Sequence, residues 1–126
     1  MKFLLLALIL FSPLTFAHSM SPGFEVERTY SEVLAKRYEI TNSYNFPAVY
    51  KVEVFTKEMQ PANGWVSDRE TYKLLPNSIK YIKIKFDADE KRKLIVCSTL
   101  TEIGKNNEKA SVISRVCSRL IIQRLR

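Results

Sequence analysis

The chain has 126 residues, 46% of them hydrophobic, a formal net charge of +7, one histidine and two cysteines. This length allows one domain with a modest core, and one histidine with two cysteines supplies too few ligands for a four-coordinate zinc site. The charge permits binding to acidic partners or membrane surfaces. The basic residues are nevertheless spread along strand-like segments, which is typical of solvated sheet faces and does not indicate nucleic acid.

Residues 1–17 have the pattern of an export signal. Lys2 precedes an apolar run from Phe3 to Phe11, and Thr15-Phe16-Ala17 is a small-x-small cleavage site. The run is too short to span a bilayer, which takes about 20 apolar residues. We therefore expect residues 1–17 to be a signal peptide and residues 18–126 to be one exported, soluble domain.

The mature chain is expected to begin at a frayed His18 and a turn-like lead-in at residues 19–23. Residues 24–28 then alternate apolar and charged side chains, which predicts a half-buried strand. Residues 29–38 are ambiguous, because their spacing also fits a ten-residue helix. We interpret them as a loop that leads into a strand at about residues 36–42, with the helix as the alternative.

Residues 42–47 form a turn by composition, and residues 48–54 alternate strictly, which predicts a strand. Residues 60–64 break this pattern. Trp65 and Val66 are then predicted to lie on a connecting segment, with Trp65 partly buried against the domain.

The next part of the chain predicts a short edge strand at residues 71–75. A further strand follows at residues 82–86, where lysines alternate with apolar residues and form a solvated face. Residues 87–91 are a charged turn.

The last third of the chain reads as two strands around a turn at residues 104–110, with one cysteine in each strand. In an exported chain this favours a disulfide between Cys97 and Cys117 over a metal site. If the cysteines face each other in an antiparallel pair, Leu94 is opposite Leu120. One face of the pair is then mainly apolar and the other half-solvated. The whole chain thus predicts about seven short strands in an all-β sandwich of two packed sheets.

Six short motifs follow one another over nearly all of the mature chain. They are SMSP (19–22), YEITN (38–42), PAVYKV (47–52), LLPNS (74–78), LTEI (100–103) and EKA (108–110). In this order they resemble the amino-terminal immunoglobulin-like domain of periplasmic pilus-assembly chaperones, the PapD-like superfamily. A subset of that family has a disulfide between its last two strands, where Cys97 and Cys117 fall.

The resemblance implies binding of pilus subunits by β-augmentation, in which the last strand donates alternate apolar side chains to the open groove of a subunit. The donating row would be Ile113, Arg115 and Cys117, so that a charge and a cysteine interrupt the apolar series. Instead of donating to a subunit, Ile113 and Ile121 could be ordinary cross-strand partners on a sheet face. Instead of binding a carboxylate of a partner, Arg115 and Arg119 could be solvated charges.

The resemblance also implies a basic pair that binds a terminal carboxylate in the cleft between two domains. The corresponding positions fall near Tyr30, with Arg28 as the nearest base, and near Ile121 or Ile122, flanked by Arg119 and Arg124. The sequence stops at Arg126, before the second domain of that family and the cleft would be complete. The resemblance therefore supports the fold more directly than the mechanism.

The sequence predicts a periplasmic chaperone-like protein that binds a pilus subunit or an envelope component through an edge strand. The predicted edge is the last strand, residues 111–123. The alternative is a structural interaction module of an envelope or secretion complex. An enzyme is not expected, because the predicted domain body has neither a histidine nor a glycine-rich phosphate loop. No cofactor, metal or small-molecule substrate is expected either.

Overall fold

The computed structural model describes residues 18–88, 90–106, 108–109 and 114–125. The predicted signal peptide, residues 1–17, and Ile113 lie outside the described residues. Ten strands and no helix occur in the described ranges, and thus no helix that is long and apolar enough to cross a membrane. The strands are β1 His18–Ser21, β2 Phe24–Thr29, β3 Val33–Asn42, β4 Ala48–Thr56, β5 Trp65–Ser67, β6 Thr71–Leu74, β7 Ile79–Asp87, β8 Arg92–Ile103, β9 Glu108–Lys109 and β10 Arg115–Arg124.

The strands form two sheets that pack face to face as a sandwich. The four-stranded sheet has the order β1-β3-β7-β5, and the six-stranded sheet has the order β2-β10-β8-β4-β6, with β9 paired to β8. All pairs are antiparallel except β2 with β10, which is parallel. The predicted all-β, immunoglobulin-like sandwich is confirmed.

The core lies between the sheets because each long strand turns alternate apolar side chains inward. Fully buried residues of the four-stranded sheet include Tyr38, Ile40, Ile82, Ile84 and Phe86. The six-stranded sheet faces them with Tyr50, Tyr72, Leu74, Val96, Leu120 and Ile122. The lysines between the inward residues of β7 are exposed, as predicted.

Three strands, β1, β5 and β9, raise the count above the predicted seven. Residues 18–21 are not a turn-like lead-in but β1, because His18 and Met20 turn inward and pair through the backbone with β3. Trp65 and Val66 belong to β5, which pairs with β7. Trp65 is half-buried against the core, as predicted, and its Nε1 donates to the Ala62 carbonyl at 3.1 Å.

The segment with two readings, residues 29–38, contains no helix. β3 runs from Val33 to Asn42 and pairs with β7 along almost its whole length. These cross-strand hydrogen bonds outweigh the helical spacing of a few apolar residues. Glu108 and Lys109, which were predicted to lie in the turn at residues 104–110, pair with β8 as β9.

The predicted register of the last hairpin is confirmed. Cys97 is opposite Cys117 and Leu94 is opposite Leu120. The two cysteines form a disulfide with Cα atoms 4.1 Å apart. Because the Leu100 N–H donates to the Ser114 carbonyl, the even-numbered residues of β10 direct their backbone toward β8. The cysteines therefore occupy the narrow, non-hydrogen-bonded type of antiparallel pair.

Removal of the disulfide should destabilise the domain. Replacing both Cys97 and Cys117 with serine is expected to lower the free energy of unfolding by about 3 kcal/mol, because the unfolded chain is no longer constrained. Urea denaturation of the variant and of the oxidised protein measures the difference. Two reactive thiols in the unreduced protein would contradict the disulfide itself.

Asn42 connects the end of β3 to three other parts of the sandwich from a fully buried position. Its side-chain amide donates to the carbonyls of Phe46 and Leu75, each at 3.1 Å. Its Oδ1 accepts from the Tyr50 hydroxyl at 3.0 Å and from the Tyr44 N–H at 3.2 Å. This one side chain thus fixes the β3–β4 turn against the end of β6.

Replacing Asn42 with alanine leaves a buried tyrosine hydroxyl and two carbonyls without this partner. The free energy of unfolding is expected to fall by roughly 3 kcal/mol. The reason is that these groups are still removed from water on folding but no longer gain the hydrogen bonds that offset this cost. Thermal and urea unfolding measure the loss. A change of less than about 1 kcal/mol would show that water replaces the amide at this site.

Candidate functional site: the open half of the last strand

The amino-terminal segment of the domain crosses from one sheet to the other. β1 pairs with β3 in the four-stranded sheet, and after Pro22 and Gly23 the chain continues as β2 in the six-stranded sheet. Two hydrogen bonds connect this crossing segment, Pro22 and Gly23, to β10. The Arg119 N–H donates to the Gly23 carbonyl at 2.9 Å, and the Ser118 hydroxyl donates to the Pro22 carbonyl.

This crossing leaves one half of β10 without a second neighbour. β8 pairs with β10 from Arg115 to Ile122, whereas β2 pairs with it only from Arg119 to Arg124. Among the described residues, no strand pairs with Arg115–Ser118 on the side away from β8. The prediction that the whole last strand is an edge is therefore wrong for its second half, because β2 covers that half.

The open half presents backbone groups to the outside. Odd-numbered residues of β10 direct their N–H and C=O groups away from β8, as the bond from the Arg119 N–H to Gly23 shows. Arg115 and Cys117 lie before β2 begins, so their backbone groups face the open side. A row of free N–H and C=O groups is what an added strand requires.

The side chains of the open half divide between the two faces of the sheet. Val116 packs against the core and Ser118 is buried, whereas Arg115 and Cys117 are exposed on the outer face. The predicted row of Arg115 and Cys117 with Ile113 thus has its two described members on the outer face. Ile113 itself lies outside the described residues, and its role stays a prediction.

Arg115 is held over its own sheet. Its Nε donates to Thr99 Oγ1 at 3.1 Å, and its guanidinium lies 5.2 Å from the centre of the Phe55 ring on β4. Its Nη2 is 3.9 Å from the Glu53 carboxylate, a partly exposed pair that contributes little to stability. The Arg115 side chain therefore reaches across β8 and leaves the open edge uncovered.

The other predicted site residues lie farther along the same outer face. Arg119 is exposed and Ile121 is half-buried on β10. Arg28 of β2 donates from Nε to Gln123 Oε1 at 3.2 Å. Arg119 pairs with Phe24, four residues before Arg28, so the two arginines are about 13 Å apart along the strands. The structure does not bring them together as a basic pair.

The His18 side chain of β1 forms hydrogen bonds with β8 and with Ser114, the residue that precedes β10. Its Nε2 donates to the Ser98 carbonyl at 3.3 Å, and its Nδ1 accepts from the Ser114 hydroxyl at 3.0 Å. The ring lies 4.8 Å from the Tyr50 ring and is almost completely buried. The expectation of a frayed His18 is wrong, because the side chain fills a polar position between the sheets.

The buried ring is neutral when it accepts from Ser114. Burial lowers the pKa of His18 from its ordinary value of 6.5, and the hydrogen bond to the Ser98 carbonyl opposes this shift only in part. The sequence carries one weak signal for this position. His18 and Met20 alternate with two serines, and both turn inward, but two inward residues are too few to predict a strand.

The His18 environment predicts a pH dependence of stability. Because its folded-state pKa is lowered, the unfolded chain binds the proton first as the pH falls, and the contribution of His18 is lost below about pH 6.5. We expect a decrease in melting temperature between about pH 7.5 and pH 5, and a smaller decrease in His18→Gln. Equal pH profiles for the two proteins would contradict the assignment.

The two sheets are also held together by charges next to the crossing. Lys36 of β3 forms ion pairs with Glu25 and with Glu27 of β2, the latter at 2.9 Å. Only 10% of the Lys36 side chain is exposed. This cluster joins β3 of the four-stranded sheet to β2, the edge strand of the six-stranded sheet. No group of three or more residues suited to hold a metal ion occurs in the described ranges.

Comparison with known proteins identifies the fold. No family model matches the chain, and no curated protein does. Among solved structures, the E. coli chaperone DraB has a TM-score of 0.66 at 13% identity, over 85% of this chain and 54% of DraB. The Salmonella enterica SafB chaperone, in complex with the SafA pilin, has a TM-score of 0.67 at 12% identity, over 90% of this chain and 57% of the other.

A single-domain protein is also similar. SSP-19 of Caenorhabditis elegans, an MSP-domain protein like family member, has a TM-score of 0.63 at 10% identity, over 83% of this chain and 98% of SSP-19. The chain spans little more than half the length of the two chaperones above. At these identities the likeness shows the fold alone. It confirms the predicted fold, that of the amino-terminal domain of PapD-like chaperones.

Proposed function

We propose that the protein is a periplasmic chaperone-like protein that binds and stabilises subunits of a pilus or another envelope assembly. The partner would add a strand to the open half of β10. The observation that carries this proposal is that the backbone groups of Arg115 and Cys117 face away from β8 with no neighbouring strand among the described residues. The protein acts by binding, without catalysis and without a cofactor.

Strand addition suits the surroundings of this edge. The disulfide and the packing of Val116 hold the open half flat against β8, so it is ordered before a partner arrives. Preorganisation lowers the entropic cost of pairing. The side chain of Arg115 lies over its own sheet and does not obstruct the edge. Two similar solved structures are chaperones in complex with a pilin or an adhesion subunit, which supports a protein partner.

Two substitutions at one position separate backbone pairing from side-chain contact. Arg115→Pro removes an N–H that faces the open side and is not used to pair with β8, and proline is tolerated at sheet edges. Arg115→Ala removes the side chain and keeps the N–H. We expect Arg115→Pro to weaken partner binding by about tenfold or more, and Arg115→Ala by about twofold or less.

The measurement is recovery of the polypeptide that co-purifies with the tagged protein from the cell envelope, followed by titration of the purified pair. Thermal melts of both variants serve as the control for folding. Equal losses in Arg115→Pro and Arg115→Ala would show that the contact is made by the side chain and not by the backbone. That result would contradict strand addition at this edge.

A second candidate is a structural interaction module of an envelope complex. It is favoured by the similarity to SSP-19, which is matched over 98% of its chain. A chaperone releases its subunit and is absent from the finished assembly, whereas a structural module remains in it. Quantification of the protein in isolated assemblies distinguishes the two functions.

A further inference from the structure

The outer face of the six-stranded sheet has a cavity that the proposed function does not use. Its volume is about 310 Å³, and it lies where β2, β10 and β8 run side by side. Phe24, Ile95 and Ile121 supply its apolar side chains, and Lys57, Lys93 and Arg119 supply three cations. No aspartate or glutamate lines it.

The apolar part of this cavity is unusually accessible to water. Phe24 has 58% of its surface exposed, although an aromatic side chain of this size is normally among the more buried residues. Arg119 of β10 lies between Phe24 of β2 and Ile95 of β8, and the three side chains form one row across the sheet. Ile121, opposite Lys93, belongs to the adjacent row.

The cations of the cavity repel one another. Lys93 and Arg119 lie in adjacent rows, and Lys57 follows Thr56, the partner of Leu94, so it reaches the same end of β8. Long side chains at such diagonal positions are within reach of each other, and their like charges repel. Lys57 has one exposed ion pair, with Glu58 at 3.6 Å. In the described part of the chain, Lys93 and Arg119 form neither an ion pair nor a side-chain hydrogen bond.

These features specify the chemistry of a ligand. An anionic group near Lys57, Lys93 and Arg119 relieves their repulsion, and an apolar chain covers Phe24, Ile95 and Ile121. The apolar side chains offer no hydrogen-bonding group, so the part of the ligand that contacts them must also be apolar. A volume of about 310 Å³ is at the lower limit for small-molecule sites and fits one chain better than two.

We propose that this cavity binds a single-chain anionic amphiphile, that is, a molecule with one anionic head group and one apolar chain. Carboxylates of the fatty-acid class and acidic single-chain lipids share this chemistry. The site is separate from the open half of β10, since it uses side chains on the outer face and not the free backbone groups of Arg115 and Cys117.

The probes are decanoate below its micelle concentration and decanol, which has the same chain without the charge. Isothermal titration should give saturable one-to-one binding of decanoate, at least about tenfold stronger than that of decanol, and weaker at high salt. Equal binding of the two probes, or no saturation with decanoate, would overturn the proposal.

Charge reversal locates the site. Lys93→Glu and Arg119→Glu are each expected to weaken decanoate binding by about tenfold or more. Lys73→Glu is the matched control, because Lys73 is an exposed lysine on β6, at the opposite edge of the same sheet, and should bind decanoate like the unaltered protein. Both side chains that are reversed are exposed, and thermal melts verify folding.

Vesicles test whether the ligand is a single molecule or a bilayer surface. Binding to anionic phospholipid vesicles without binding to monomeric decanoate would overturn the single-chain site in favour of a membrane-docking face. Decanoate binding that is unchanged in Lys93→Glu and Arg119→Glu would place the amphiphile elsewhere and would equally overturn the proposal. None of these results depends on strand addition at β10, so the two proposals fail separately.

Discussion

The structure depends on the crossing of the amino-terminal segment between the two sheets. The segment closes the edge of the four-stranded sheet as β1 and the edge of the six-stranded sheet as β2. It is too short to cover both edges completely, because β2 begins at Phe24, opposite Arg119. The residues of β10 before Arg119 therefore keep one open side, and the position of the candidate site follows from the geometry of the crossing.

Several interactions fix the crossing in place. The backbone bond from Arg119 to Gly23 and the contact of Ser118 with Pro22 hold it on β10. Lys36 joins β3 to two carboxylates of β2 at the margin of the core. Burial of the Lys36 ammonium is costly unless it is paired, and the two carboxylates of β2 supply this pairing. The open half of β10 is thus a defined edge and not a frayed strand end.

The sequence was sufficient to predict the last hairpin and the strands with strict alternation, whereas the first residues of β3 were ambiguous. Strict alternation marks β4 and β7, and the two cysteines select a single register for β8 and β10. Three of the four shortest strands, β1, β5 and β9, were not predicted, because two to four residues carry little periodicity; the fourth, β6, was predicted at residues 71–75. The parallel pair of β2 with β10 joins segments about 95 residues apart, and no local pattern encodes that distance.

The candidate site was predicted only in part. The sequence identifies the last strand but not its open half. The open half is set by the place where the chain crosses between the sheets, because β2 then covers only the second half of β10. Arg115 and Arg119 are four residues apart, so the alternation of a strand places both on the same face, and the sequence does not distinguish their roles. Only the three-dimensional neighbours separate Arg115, which lies over Phe55, from Arg119, which lines the cavity beside Phe24. His18 was misplaced, since its burial depends on carbonyl and hydroxyl partners distant in the chain.

Amide hydrogen exchange of the free protein tests the open half most directly. The N–H groups of Arg115 and Cys117 are expected to exchange at least about a hundredfold faster than that of Arg119, which donates to Gly23. Val116 and Ser118, whose backbone faces β8, should be protected in the same experiment. Slow exchange at Arg115 and Cys117, equal to that at Arg119, would contradict an open edge on β10.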